Sequence, residues 1–180
     1  MCGIAAFFSR SKPVSAHNLK LATEALHHRG PDSHGAWFSR DRRVGLGHSR
    51  LSIIDLTTGD QPMANEDGCL RIIVNGEFYD FERQRRELEQ HGHRFRTRSD
   101  SEIALHLYED YGVHCLQHLR GEFAFVVWDD RNQMLFAARD RFGIKPLHYA
   151  FHDGALYLAS DSASFLTGHT HVIDGGMTVA

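Results

Sequence analysis

The chain has 180 residues, of which 42% are apolar and 24% charged, and its formal net charge is −3 with neutral histidines. These are ordinary values for one globular domain that is long enough to bury a substantial core. The absence of a long basic block argues against a nucleic-acid surface, and the longest apolar run, Phe123–Trp128, is far too short to span a membrane.

The start of the chain lacks the basic and apolar stretches of a signal peptide, so we expect a cytoplasmic protein. Its three cysteines, Cys2, Cys69 and Cys115, have no metal-ligand spacing. A sparse, odd set of this kind is typical of reduced thiols, and one of them can therefore remain reactive.

The stretch Met1-Cys2-Gly3-Ile4 places a cysteine directly after the initiator methionine. If Met1 is removed, the thiol and the free α-amine belong to the same residue. An ordinary α-amine has a pKa of about 7.7–8.0, so it can accept the thiol proton near neutral pH, and the thiolate can attack an acyl carbon. The alternative is that Cys2 is a small buried residue that starts a strand ending at Phe8.

Apolar spacing predicts a first helix after this strand. We expect Ser15 to cap the helix, and Leu19, Ala22 and Leu26 fall on one face at i, i+3 and i+7. The helix is expected to end near His28, because a glycine and a proline follow.

Three further helices are predicted in the middle of the chain. Asp80 is expected to cap a charged helix that ends near His91. The segment Ser99-Asp100-Ser101-Glu102 has the pattern of a capping box for the next helix, and Val113–Leu119 is expected to form a short one.

Runs of β-branched and aromatic residues between turn residues predict the strands. They are expected at Ile4–Phe8, Ala36–Phe38, Val44–Leu46, Leu70–Asn75, Phe123–Trp128, Met134–Ala138, Leu147–Phe151 and Leu156–Leu158. Short strands mixed with a few helices indicate an α+β fold built in layers.

Polar segments adjoin several of these elements. His28-Arg29-Gly30-Pro31-Asp32 closes the first helix, Arg50 stands beside a strand end, and Asn75-Gly76-Glu77 ends a buried strand. Each has an ordinary alternative: Arg50 as a surface charge, Asn75-Gly76 as a type I′ turn, and Asp100 as an acid that favours the helix dipole.

Together with Met1–Ile4 and in this order, these segments closely resemble the glutaminase domain of class II glutamine amidotransferases, which are N-terminal-nucleophile hydrolases. The segments Arg29–Asp32, Arg50–Asp55, Asn75–Asp80 and Ala138–Leu147 are similar to those of glutamine-hydrolysing asparagine synthetases. The resemblance implies a four-layer αββα sandwich with Cys2 at the N-terminus of a central strand.

The resemblance also implies a reaction and its catalytic residues. Cys2 is the nucleophile and its α-amine the general base, while the Asn75 side-chain amide and the Gly76 N–H form the oxyanion hole. L-Glutamine is hydrolysed to glutamate and ammonia through a Cys2 thioester. This hydrolysis needs no metal or organic cofactor.

Substrate binding is assigned by the same resemblance. Arg50 pairs with the α-carboxylate of glutamine, which its planar fork suits, and Glu77 and Asp100 hold the α-ammonium. The ammonia is expected to supply an asparagine-synthetase-like amide-forming reaction. ATP and Mg²⁺ are needed only in the synthetase domain or partner chain that carries this reaction. The alternative function is a catalytically silent, truncated domain that acts as a binding or assembly module.

Residues 161–180 depart from this pattern. Asp161 stands where the family has Glu, and no Ser-Gly-Gly phosphate loop follows. Residues 157–180 resemble instead the C-terminal end of short-chain dehydrogenases, but that family's Gly-rich loop and Tyr-x-x-x-Lys pair are missing, so we assign no dehydrogenase activity.

We therefore divide the chain into a glutaminase domain at 1–160 and an atypical tail at 161–180. The tail is a fusion scar, a contact surface or an ordinary terminal strand and loop. It is expected to pack on its own domain, or on a second copy as a homo-oligomer contact, with an edge strand through His171–Asp174 and a turn at Gly175-Gly176.

Fourteen histidines raise the question of a metal site. The candidates with the best spacing are His91 with His93, and the group His114, Cys115 and His118, where i and i+4 share a helix face. The sequence indicates no carboxylate or further ligand for either group, and Cys115 is equally a core residue. We therefore predict no metal site.

Overall fold

A computed structural model describes residues 1–160 and the backbone of residues 171–172. The strands are β1 (Gly3–Ser9), β2 (Ser33–Phe38), β3 (Val44–Arg50), β4 (Met63–Ala64), β5 (Leu70–Phe78), β6 (Gly121–Asp129), β7 (Met134–Arg139), β8 (His148–His152), β9 (Ala155–Ala159) and β10 (His171–Val172). The helices are α1 (Ala16–Ala25), α2 (Phe81–Gln90) and α3 (Ser101–Tyr111), and a 3₁₀ helix follows at Gly112–Gln117. None of the described helices has the length and apolar character that crossing a bilayer requires.

The strands form two antiparallel sheets. One has the order β10-β8-β9-β1-β3-β2, and the other has the order β4-β5-β6-β7. Strand β1 lies between β3 and β9, with Gly3 opposite Ser49 and Ala5 opposite Ala159. The N-terminus of this inner strand carries Cys2, which is the position that the resemblance implies.

Alternation along β1 divides its side chains between two cores, because successive residues of a strand point to opposite faces. Ile4 and Ala6 pack between the two sheets, whereas Ala5 and Phe7 pack against α1. Burial of these apolar faces stabilises the sandwich at roughly 25 cal/mol per Å² removed from water.

The second sheet is divided in the same way. Ile73 of β5 faces the first sheet, while Ile72 and Val74 pack with Ile103 and Leu107 of α3. The layers therefore run α1, sheet, sheet, α2 with α3. The predicted four-layer αββα sandwich is confirmed.

Helix α1 follows its sequence pattern closely. The Ser15 Oγ accepts a hydrogen bond from the Asn18 N–H at 3.2 Å, as a helix N-cap does. Leu19, Ala22 and Leu26 are all buried, which confirms the predicted core face.

The other two predicted caps are wrong in detail. Asp80 precedes α2, but its φ is +58° and its side chain makes no capping bond. Glu102 does not reach back to Ser99. Its carboxylate accepts hydrogen bonds from the Arg96 and Thr97 N–H groups at 2.8 Å each, so it holds the preceding loop against α3.

The segment Asn75-Gly76 is not a turn, because β5 continues through it to Phe78. Asn75 lies opposite Ala124 and Gly76 opposite Phe123. A Cβ on Gly76 would lie 2.2 Å from the Glu122 carbonyl oxygen, so the close approach of β6 explains the glycine. The predicted short helix at 113–119 is the 3₁₀ helix at 112–117.

The tail is described only at β10, which pairs with β8 through His171 opposite Tyr149 and Val172 opposite His148. This strand lies within the predicted edge strand at His171–Asp174. The predicted turn at Gly175-Gly176, and most of the dehydrogenase-like segment, lie outside the described residues. The division after residue 160 therefore stays a prediction.

Candidate active site

A cavity of about 260 Å³ opens at the N-terminus of β1. We call it the Cys2 cavity. All the site residues predicted from the sequence line it, namely Cys2, Arg50, Asn75, Gly76, Glu77 and Asp100. They come from the start of β1, the end of β3, the second half of β5 and the start of α3. The fold thus gathers in one place residues that are far apart in the chain, while their individual roles stay predictions.

The Cys2 thiol lies against the backbone of Leu51. The Leu51 N–H donates to Sγ at 3.4 Å, and Sγ lies 3.7 Å from the Leu51 carbonyl oxygen. Burial raises the pKa of the Cys2 thiol, and the Leu51 hydrogen bond, the N-terminal ammonium and the Arg50 guanidinium oppose this effect without cancelling it. A thiol with a raised pKa needs an adjacent base to become a nucleophile.

Asn75 is completely buried in the wall of this cavity. Neither its Nδ2 nor its Oδ1 has a hydrogen-bond partner among the residues that the structure describes. A buried polar group left in this state costs about 1–3 kcal/mol of stability, and most such groups in proteins are paired. The free amide is therefore available to a polar atom of a ligand bound beside Cys2.

Asp100 gives the cavity a buried carboxylate. Its Oδ2 accepts from the Phe78 N–H at 2.7 Å, and the Ser99 hydroxyl donates to Oδ1 at 3.4 Å. Burial raises the pKa of Asp100, and the nearby exposed carboxylate of Glu77 raises it further. Two carboxylates at one end of a small cavity favour a cationic ligand group between them.

Arg50 is also buried, but the protein itself occupies part of its guanidinium. Its Nη1 donates to Asp60 Oδ1 at 2.9 Å, and its Nη2 donates to the carbonyl oxygens of Asp55 and Ile54. A Cβ on Gly59 would lie 2.6 Å from Nη2, so the loop formed by residues 54–60 packs closely on the guanidinium. The loop thus fixes the orientation of Arg50 at the cavity wall.

An ion pair between a buried lysine and a half-buried glutamate in the wall was not predicted from the sequence. Lys145 Nζ lies 3.0 Å from Glu122 Oε1, and both residues line the Cys2 cavity. Asp140 shapes the turn before Lys145 by accepting hydrogen bonds from the Phe142, Ile144 and Lys145 N–H groups. Lys145 lies in the segment Ala138–Leu147, which was part of the resemblance. That segment was the sequence signal that could have identified Lys145. The other unpredicted wall residues are Met1, Leu51, Ile53, Ile54, Gly59, Gln61, Ser99 and Ser101.

The other two thiols lie elsewhere. Neither Cys69 nor Cys115 lines the Cys2 cavity. Cys115 is fully buried in the helical layer, and burial raises the pKa of its thiol to about 12. Among the three cysteines, Cys2 alone combines access to a cavity with a neighbouring α-amine.

A cysteine at the N-terminus of an inner strand of an αββα sandwich, beside a cavity, is the arrangement of the class of N-terminal-nucleophile amidotransferase folds. The structure of glutamine phosphoribosylpyrophosphate (PRPP) amidotransferase from B. subtilis is similar, with a TM-score of 0.77, 19% identity, and coverage of 96% of this chain and 44% of that one. At this identity the likeness shows the fold alone.

The family model of the glutamine amidotransferase domain matches residues 1–176, and the chain belongs to this family. The match confirms the resemblance seen in the sequence, and it runs past the predicted boundary at residue 160. No site residue is tested by the match itself.

The curated relatives are longer proteins, and this chain matches one part of each. The amidase chry2 of Gibberella zeae is 47% identical over an alignment of 178 positions that covers 92% of this chain and 26% of that protein. Asparagine synthetase [glutamine-hydrolyzing] 2 of Bacillus subtilis is 40% identical over an alignment of 175 positions that covers 95% of this chain and 23% of that protein. The chain thus spans about a quarter of the length of these relatives. The asparagine synthetases were predicted, and the amidases were not.

Proposed function

We propose that this chain hydrolyses L-glutamine to glutamate and ammonia through a thioester on Cys2. The observation that carries the proposal is the buried, unpartnered amide of Asn75 in the wall of the cavity that Cys2 and Asp100 share. Membership of the glutamine amidotransferase family supports glutamine as the substrate.

The thiol is activated by the residue that carries it. Because burial raises the pKa of Cys2, little thiolate exists at neutral pH and a base must remove the proton during attack. Once Met1 is removed, the α-amine of Cys2 is that base. The sulfur attacks the side-chain amide carbon of glutamine, and the amine passes the proton to the leaving nitrogen as ammonia departs.

The tetrahedral intermediate carries its negative charge on the former amide oxygen. The Asn75 Nδ2 and the Gly76 N–H stabilise this charge, and a donor of this kind is fixed before the reaction begins. Water then attacks the γ-glutamyl thioester, the α-amine accepts the water proton, and the C–S bond breaks. Glutamate leaves and the Cys2 thiol is restored.

The remaining polar groups recognise the amino-acid end of the substrate. Asp100 and Glu77 attract the α-ammonium, which explains why a carboxylate is kept buried with a raised pKa. Arg50 attracts the α-carboxylate, and the loop that accepts hydrogen bonds from its Nη1 and Nη2 holds the guanidinium in place. A site built around both charges rejects amides that lack them.

The ammonia supplies an amide-forming reaction like that of asparagine synthetases, carried by an ATP- and Mg²⁺-dependent synthetase domain or partner chain. The 40% identity to a glutamine-hydrolysing asparagine synthetase supports this use. The alternative, a silent binding or assembly module, keeps the same fold without ammonia release. An enzyme assay on the chain separates the two.

The chain that begins at Cys2 is expected to release ammonia from L-glutamine, whereas a chain that retains Met1 is expected to be inactive. The reason is that an amide nitrogen at residue 2 is neither basic nor free to approach the thiol. Intact mass establishes the N-terminus of each sample, and coupled detection of ammonia and glutamate gives the rate, with L-asparagine as the control substrate.

Equal activity of both forms would contradict the α-amine as base. No ammonia from the chain that begins at Cys2 would contradict the proposed function and favour the silent module. The mass spectrum keeps these two results distinct.

The substitution Asp100→Asn is expected to raise the KM for glutamine by about 10–100-fold and to change kcat little. A hydrogen bond to a charged group contributes about 1.5–3 kcal/mol, and this one holds the α-ammonium in ground state and transition state alike. Arg50→Lys is likewise expected to raise the KM for glutamine. Steady-state kinetics measure both variants, and Glu82→Gln on the exposed side of α2 is the matched control. A fall in kcat at unchanged KM would exclude a role of Asp100 in holding the α-ammonium of the substrate.

A further inference from the structure

A second cluster of chemically active side chains lies away from the Cys2 cavity. Glu66, His93, His106 and Glu109 each offer one ligand atom, and these atoms all lie within 4.8 Å of one another. None of the four lines the Cys2 cavity. We call this group the Glu66 cluster.

Three separate elements bring the cluster together. Glu66 lies in the turn between β4 and β5, and His93 follows the end of α2. His106 and Glu109 lie on α3 with i, i+3 spacing, so their side chains share a face. An open surface cavity reaches Glu66, His93 and Glu109 and provides an entry path.

The spacing of the ligand atoms suits one metal ion. His93 Nδ1 lies 3.6 Å from Glu66 Oε1 and 3.9 Å from Glu109 Oε2. His106 Nδ1 lies 3.7 Å from Glu66 Oε2 and 3.9 Å from Glu109 Oε2. Ligands about 2.0–2.2 Å from a tetrahedral ion are about 3.4 Å apart, so only small movements close the site.

Two members of the cluster have polar atoms without hydrogen-bond partners among the described residues. His106 is completely buried, yet neither of its ring nitrogens makes a hydrogen bond within this part of the chain. Glu109 Oε2 is buried and unbonded, although its Oε1 accepts from Asn65 Nδ2 at 2.9 Å. Buried imidazole and carboxylate atoms that face one another without hydrogen bonds indicate a ligand between them.

The outer nitrogens of both imidazoles face carboxylates. His93 Nε2 lies 2.9 Å from Asp110 Oδ1, and His106 Nε2 lies 3.6 Å from Glu102 Oε1. Metal-bound histidines usually direct their second ring nitrogen at a carboxylate, which fixes the tautomer and leaves Nδ1 free to bind. Here Nδ1 of each ring is the atom that faces the cluster.

We propose that the Glu66 cluster binds one Zn²⁺ ion. Two imidazoles and two carboxylates without a thiolate suit zinc, and four protein ligands make a closed site of the structural kind. The ion would join the β4–β5 turn, the end of α2 and the middle of α3. This proposal is independent of glutamine hydrolysis.

His93 belongs to the pair of His91 and His93 that the sequence suggested, but the other members of the Glu66 cluster are not in that pair. His91 binds Asp110 instead, at 3.2 Å. The other suggested group is dispersed, because Cys115 lies in the core while the His118 ring stacks on Tyr111 at 4.2 Å.

The test is a titration of the chelator-treated full chain with ZnCl₂, read by calorimetry, by metal content after gel filtration and by Tm. We expect one Zn²⁺ per chain at the cluster and a Tm that rises with zinc, since an ion that binds only the folded state stabilises it. His93→Gln and Glu109→Gln are expected to weaken this binding by more than about 100-fold, beyond the roughly 10–100-fold effect usual for a supporting residue. With Co²⁺ in place of zinc, the wild type is expected to show the visible spectrum of a tetrahedral ion.

The matched control is His152→Gln, which removes an exposed histidine that ends β8 in the other sheet and pairs with Asp153 at 3.5 Å. It is expected to bind zinc like the wild type. Equal zinc affinity and equal Tm shifts in the wild type and His93→Gln would overturn the proposal. Binding that survives in His93→Gln and disappears in Cys2→Ala would place the ion at the N-terminal thiol and would overturn it as well.

Discussion

Replacing Cys2 with alanine is expected to abolish ammonia release from glutamine and to leave the fold intact. Without the sulfur no thioester forms. In comparable hydrolases, loss of the covalent nucleophile lowers kcat by about 10⁴-fold or more. The fold is expected to tolerate the change because Cys2 precedes β1 and, within the described part of the chain, its Sγ forms hydrogen bonds with the Leu51 backbone alone. Ammonia release and the thermal melting curve measure the two expectations.

Cys69→Ala and Cys115→Ala are the matched controls for this experiment. Neither thiol lines the Cys2 cavity, so both variants are expected to keep the wild-type rate. A thiol-alkylating glutamine analogue is expected to label Cys2 alone. Labelling of Cys69 with Cys2 spared would show that the nucleophile is assigned wrongly.

The sequence predicted best where local pattern and packing agree. Helix α1 has one clear apolar face and a serine cap, and both are present in the structure. The predicted strands correspond to β1, β2, β3, β5, β6, β7, β8 and β9, with ends that differ by a few residues. Their short apolar runs are buried between layers, and this burial is what the runs indicate.

Prediction failed where a distant segment decides the local structure. Asn75-Gly76 has the composition of a tight turn, but pairing with β6 keeps it extended. Glu102 has the spacing of a capping-box residue, but the loop at Arg96 and Thr97 takes its carboxylate. No pattern within a short window contains these partners, so tertiary contacts override local preference.

The Cys2 cavity and the Glu66 cluster differ in how much of each could be predicted from the sequence. The residues of the Cys2 cavity stand in recognisable segments, so a resemblance named them before their proximity was known. Glu66, His106 and Glu109 stand in no such segment, and His106 lies among apolar residues of α3 that predict only a core face. Only the folded chain shows that they meet His93.

The substitution Asn75→Ala is expected to lower kcat for glutamine hydrolysis by about 10²–10³-fold while the KM changes little. One oxyanion-hole donor is typically responsible for an effect of this size, because the hydrogen bond strengthens as negative charge develops in the transition state. Steady-state ammonia release measures both constants. A rise in KM alone would contradict the oxyanion role and would make Asn75 a substrate-binding residue.

Asn65→Ala is the matched control, because Asn65 is also a buried asparagine but has a fully used amide. Its Nδ2 donates to Glu109 and its Oδ1 accepts from the Leu70 N–H at 3.0 Å. Removing it leaves buried partners unpaired and is expected to lower the free energy of unfolding by about 1–3 kcal/mol without changing kcat. Asn75→Ala removes an amide that pairs with nothing in the described structure, so it is expected to reduce kcat with a smaller loss of stability. A large loss of kcat in Asn75→Ala and a large loss of stability in Asn65→Ala would together distinguish a catalytic amide from a structural one. A structural asparagine mainly affects the free energy of unfolding.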